Sequence, residues 1–93
     1  MDSQSPRDLA LFDQIENKTK WAVARAYRAK RRERYGDYEA RWAAIDTLQA
    51  AHPEMSPEDV QKVVAVTIVN AYRDHTEWMN DGINGPLRDD RVK

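Results

Sequence analysis

The chain has 93 residues, of which 41 % are hydrophobic and 33 % are charged, and its formal net charge at pH 7 is −1. This size allows one domain with a modest core, and the composition is typical of a folded chain rather than a disordered one. The absence of cysteine excludes disulfides and thiolate metal sites. The N-terminal residues lack the features of a signal peptide, and no apolar run is long enough to span a membrane, so we expect a cytoplasmic protein.

The first predicted helix covers residues 6–35. Ser5 suits the N-cap position and Pro6 the first turn. Apolar residues then recur at helical spacing from Leu11 to Ala29, and no Gly or Pro interrupts the chain before Gly36. We therefore expect one long helix of about 30 residues, or roughly 45 Å.

The second half of this helix carries a concentrated positive charge. Residues 18–34 contain eight basic side chains and one acid, Glu33, which gives the segment a charge of +7. On a helix with about 100° per residue, one side of the segment holds Lys18, Trp21, Arg25, Arg28 and Arg32. Because the net charge of the whole chain is −1, the basicity is local to this helix.

A second helix is predicted over residues 37–52. Gly36 ends the preceding pattern, Asp37 can cap the new helix, and Pro53 cannot continue it. We expect its inner face to contain Tyr38, Trp42, Ile45 and Leu48. The aromatic group of Tyr35, Tyr38 and Trp42 is interpreted as packing between the first two helices, with a ligand cage as the alternative.

The third predicted helix covers residues 57–79. Ser56 and Pro57, followed by two acids, occupy favoured positions at a helix start. The run from Val63 to Val69 is apolar nearly all the way round. It also suits a buried strand, but the cap before it and the helical spacing after it favour a helix.

Such a helix has to be covered on every side, and two other helices leave part of it open. We therefore expect a second apolar face, covered by a partner, that consists of Val63, Val66 and Val69. The resulting fold is an all-α, three-helix domain. It consists of a single helical domain over residues 1–80, followed by a flexible or partner-ordered tail over residues 81–93.

Motifs for catalysis and metal binding are lacking. The sequence has no Gly-rich phosphate loop and no Gly-x-Ser-x-Gly elbow. His52 lies at a helix end, and His75 lies on the apolar side of the third helix with no second His one turn away. We expect no enzymatic activity, no cofactor, no metal ion and no small-molecule substrate.

The expected function is a non-enzymatic protein–protein interaction module: a small helical subunit or adaptor of a larger assembly, or a homo-oligomer. A basic face that contains a tryptophan suits a protein interface, because Trp and Arg are enriched among residues that dominate binding energy. The predicted contact residues lie on two helices: Trp21, Arg25, Arg28 and Arg32 on the first, and Val63, Val66 and Val69 on the third.

Other functions fit the same basic face. A nucleic-acid-binding module is one alternative, in which Trp21 stacks on an unpaired base while phosphates are neutralised by Lys18, Arg25, Arg28 and Arg32. Another is a small inhibitor or regulator that docks on an enzyme or a nucleic-acid machine. A solvated face without a partner, in which an arginine lies over Trp21, is the remaining interpretation.

Overall fold

The computed structural model describes residues 6–81, with side chains from Leu9 onward. Within this range the chain is all-α, as predicted, and contains no strand. It forms five helices instead of the predicted three: α1 Pro6–Asp13, α2 Asn17–Arg32, α3 Asp37–Ala51, α4 Pro57–Asp74 and α5 Thr76–Asn80. The predicted tail over residues 81–93 lies, apart from Asp81, outside the described residues.

The prediction of one long first helix is wrong, because the chain leaves the helix between α1 and α2. The Ile15 N–H donates at 3.1 Å to the carbonyl of Phe12, three residues earlier, whereas an α-helix bonds each N–H to the carbonyl four residues earlier. Glu16 is then extended, with ψ at 147°. No Gly or Pro marks this break. It allows α1 to pack on α4, whereas α2 packs on α3 and α4, and it brings Ile15 into the core.

The predicted third helix is also interrupted, at His75. This residue has φ −137° and ψ 50°, and its N–H donates to the Ala71 carbonyl at 2.8 Å. The short helix α5 follows and contacts α4, with Met79 fully buried in the core. His75, which we expected on the buried side of a continuous helix, is exposed at the corner between α4 and α5.

Helix α4 lies at the centre of the fold and contacts each of the other four helices. The Thr67 hydroxyl donates to the Val63 carbonyl at 2.7 Å, which satisfies the polar group of this buried residue. The other buried residues of α4 are apolar: Val60, Val63, Val64, Val66, Ile68 and Ala71. Helices of the same chain therefore cover most of the α4 surface, as its apolar composition requires, while Val69 stays 46 % exposed.

This burial removes most of the predicted partner face of α4. Val63 and Val66 are each 1 % exposed, whereas Val69 is 46 % exposed. Two of the three valines are thus inaccessible in the folded chain, and only Val69 can contact a partner. The predicted shortage of covering helices does not arise. The breaks at residues 14–16 and at His75 divide the predicted helices, and the additional helices α1 and α5 both pack on α4.

Helix α3 has the predicted bounds to within one residue, and half of its predicted inner face is confirmed: Leu48 is fully buried and Ile45 packs against the core. The prediction is wrong for Tyr38 and Trp42, which are 53 % and 44 % exposed, and Ala40 and Ala44 are buried instead. The two rings contact each other edge to face, with centroids 6.4 Å apart. Alanines on the inner face allow close approach of neighbouring helices, since interaxial distance depends on side-chain size at the contact. Large rings at these positions would hold the helices apart.

None of the helices within residues 6–81 combines the length and the apolar character that a membrane crossing requires. The longest of them, α4, has 18 residues and carries charged side chains at both ends.

We predict that Met79→Ala lowers the free energy of unfolding by about 2–5 kcal/mol, because it removes a fully buried side chain that holds α5 on the core. The matched control is Glu77→Ala, an exposed position on the same helix, which should change stability by less than about 0.5 kcal/mol. Urea unfolding followed by circular dichroism measures both. Equal losses in the two variants would mean that α5 is not docked.

Candidate interaction surface

Helix α2 carries seven basic residues and no acid. Its inner side packs in the fold through Thr19, Val23, Ala24 and Tyr27. The opposite side is exposed and consists of Lys18, Trp21, Arg25 and Arg32, which we call the basic stripe. From Lys18 to Arg32 the stripe runs about 21 Å along the helix. The structure thus places four of the five predicted basic-face residues together on one accessible surface.

Arg28, the fifth predicted residue, is used inside the fold. Its side chain is only 15 % exposed. Its Nε donates to the Trp78 carbonyl at 2.7 Å, and its guanidinium lies 4.6 Å from the centroid of the Trp78 ring. Its Nη2 also pairs with Asp81 Oδ2 at 3.4 Å. Arg28 therefore fastens α2 to α5, a contact that sequence reasoning missed because it requires the break at His75.

Trp21 is held in place by residues of the α4–α5 corner. Its ring centroid lies 4.9 Å from that of His75 and 5.3 Å from that of Trp78, the latter edge to face. The side chain nevertheless stays 39 % exposed. Trp21 is therefore an ordered aromatic surface in the middle of the basic stripe.

A groove of about 330 Å³ opens beside Trp21, between the α1–α2 region and α4. Three small, buried residues form its floor: Ala24, Thr67 and Ala71. The aromatic rings of Phe12 and Trp21 line its sides. The groove exists because these floor residues are too small to fill the space between the helices.

Polar residues surround the groove, and their charges do not cancel. Lys20 Nζ lies 3.9 Å from the centroid of the Phe12 ring and forms no ion pair with another residue of the described range. Arg73 Nε donates to Asp74 Oδ1 at 3.0 Å, and this hydrogen bond lowers the pKa of the Asp74 carboxyl. The Arg73–Asp74 pair is neutral, so Lys20 leaves the rim with a net positive charge.

His52 joins two loops on another part of the surface. Its Nε2 lies 2.9 Å from Glu16 Oε1, between α1 and α2, and its Nδ1 lies 3.0 Å from Glu54 Oε2, between α3 and α4. The hydrogen bond to Glu16, followed by that to Glu54, raises the pKa of His52 above its ordinary value. The sequence indicated a histidine at a helix end but gave no sign of these partners.

A buried tyrosine of α2 bonds to a carboxylate at the start of α3. The Tyr27 hydroxyl donates to Asp37 Oδ1 at 2.6 Å, and Arg41 Nε donates to Asp37 Oδ2 at 2.8 Å. Burial, followed by the bond to Asp37, raises the pKa of Tyr27. Partial burial raises the pKa of Asp37, but the hydrogen bonds from Tyr27 and Arg41 together have the larger effect and keep this pKa below its ordinary value. The cluster stabilises the α2–α3 turn.

No group of three His, Asp or Glu side chains within the described range is arranged to hold a metal ion. Comparisons of the chain with protein-family models, curated proteins and solved structures give no match. The function therefore has to be argued from the surface chemistry of this chain alone.

We predict that His52→Gln destabilises the fold most in mildly acidic solution. The folded pKa of His52 is raised above 6.5, so the stability due to its charged form is complete below about pH 6.5 and is lost as the pH rises through the folded value. The pKa of Glu16 is lowered from 4.5, chiefly by hydrogen bonding to the backbone and to His52, so its contribution disappears on acidification.

Urea midpoints of the wild type and His52→Gln should therefore differ most between about pH 4.5 and 6.5 and converge in alkaline solution. Glu16→Gln serves as the matched variant, because it removes the stronger of the two partners and should reduce the same pH dependence. A difference between wild type and His52→Gln that is as large in alkaline solution as between about pH 4.5 and 6.5 would contradict the assignment.

Proposed function

We propose that this chain is a non-enzymatic protein–protein interaction module that docks on an acidic partner through the basic stripe. One observation carries the proposal: Lys18, Arg25 and Arg32 are exposed on one face of α2 around an ordered tryptophan, and none of the three forms an ion pair within the described range. Trp and Arg are enriched among residues that dominate binding energy. Complementary charge adds orientation and a fast association rate.

Several features of the stripe favour protein over nucleic acid as its partner. The Trp21 ring already packs against His75 and Trp78, which leaves it less free to stack on an unpaired base. Asp81 is 73 % exposed beside Arg28. Its carboxylate would meet phosphates with like charge, whereas a protein surface can place its own acids away from it.

The proposed module acts as a small subunit or adaptor within a larger assembly, or as an inhibitor that occupies an acidic surface of its target. Its affinity does not depend on Val63 and Val66, because both are buried in the chain's own core. Nucleic-acid binding through the same stripe is the second candidate. It is favoured by the seven basic residues of α2 and by the absence of any acid from that helix.

Site-specific photocrosslinking in the source cells tests the proposal. A benzophenone amino acid in place of Arg25 lies on the stripe, and one in place of Gln61, exposed on α4, is the matched control. We expect the first position to capture a protein with an acidic surface and the second to capture none. Nucleic acid captured at position 25 would establish the second candidate instead, and identical captures at both positions would contradict a role for the stripe.

We predict that Arg25→Glu weakens binding to the captured partner by about tenfold or more, because it reverses a charge at the centre of the stripe. Lys62→Glu is the matched control, since it makes the same change of charge on α4. Fluorescence anisotropy at low and high salt measures both. Equal affinities of Arg25→Glu and the wild type would contradict the proposal.

A further inference from the structure

We infer that the groove beside Trp21 binds an acidic peptide segment of the partner, with an apolar side chain on the groove floor and a carboxylate against Lys20. This inference rests on the proposed function and adds the chemistry of the partner segment. Three properties of the groove support it: its size, its apolar floor and the charge on its rim.

The size of the groove suits a short segment. Its volume of about 330 Å³ lies near the lower end of the range for ligand sites, about 300–1,000 Å³. That space accepts one or two side chains, whereas a whole helix would have to lie across the groove without entering it. The occupant is therefore a peptide with one anchoring side chain.

The floor of the groove selects an apolar anchor. Ala24 and Ala71 offer only methyl groups, and the Thr67 hydroxyl already donates to the Val63 carbonyl at 2.7 Å. The floor thus presents no free hydrogen-bond donor to a polar side chain, which would lose its water without compensation. An aliphatic side chain would instead bury part of the exposed Trp21 ring and gain free energy by leaving water.

The rim of the groove selects a negative charge next to that anchor. Lys20 has no acidic partner within the described range, and the side-chain amides of Asn17 and Asn70 also line the groove. The carboxylate of Asp74 is held by Arg73 through bonds of 3.0 and 3.4 Å. A carboxylate near Lys20 therefore gains an ion pair and amide donors.

The groove and the basic stripe form one continuous surface because Trp21 belongs to both. A segment anchored in the groove can pass over Trp21 and place further acids near Arg25. The expected partner sequence is an aliphatic residue flanked by several Asp or Glu residues.

A phage-displayed library of random short peptides, selected on the immobilised full chain, tests this inference. We expect the enriched peptides to share an aliphatic residue flanked by acids. Their affinities are then measured by fluorescence anisotropy for the wild type and for Asn70→Trp, which fills the groove. Gln61→Trp, on the same helix and outside the groove, is the matched control. Asn70→Trp should weaken binding by about tenfold or more, while Gln61→Trp leaves it unchanged.

Circular dichroism establishes that both variants fold. If Asn70→Trp does not, Lys20→Glu provides the same test, because a reversed rim charge should lower the affinity for acidic peptides by a similar factor. Enriched peptides without acids, or full binding by the groove variants, would overturn the inference. Normal binding by the groove variants together with loss on Arg25→Glu would overturn it while leaving the proposed function intact.

Discussion

The structure depends on the need to cover the apolar surface of α4 with other helices. The middle of α4 is apolar nearly all the way round, and exposing that surface to water costs free energy. The chain meets this constraint by leaving the helical path twice, once at residues 14–16 and once at His75. Each break produces an additional helix that packs on α4. No Gly or Pro accompanies either break, and both breaks serve the burial of α4.

The same constraint organises the exposed surface. The buried side chain of Met79 holds α5 on the core. This places Trp78 and the α4–α5 corner beside α2, where Arg28 Nε donates to the Trp78 carbonyl and the Trp21 ring packs against the rings of His75 and Trp78. The basic stripe is therefore supported by the interior: a change in the packing of α5 would also change the position of its tryptophan.

Much of the fold could be predicted from the sequence where local chemistry decides. Gly36 and Pro53 bracket α3, and the start of α4 was predicted from Ser56, whose Oγ accepts a hydrogen bond from the Asp59 N–H at 3.1 Å. The exposed stripe followed from helical spacing alone, since Lys18, Trp21 and the exposed arginines fall on one side at that spacing.

The remaining features depend on contacts between distant residues. No Gly or Pro marks the two breaks, so the helical spacing of apolar residues predicts a continuous helix through each of them. On α3, the spacing of Tyr38 and Trp42 is as helical as that of Ala40 and Ala44, and only the packing against other helices decides which pair is buried. The groove and the role of Arg28 were missed for the same reason: the groove requires α2 and α4 to lie side by side, and Arg28 contacts α5 only because the chain breaks at His75.

Light scattering coupled to size-exclusion chromatography tests the central claim that the chain covers α4 by itself. The account predicts a monomer with the mass of one chain, 10.8 kDa, at both low and high salt. A dimer or larger species that persists at high salt would contradict it, because salt screens the charges of the basic stripe and leaves an uncovered apolar face as the cause.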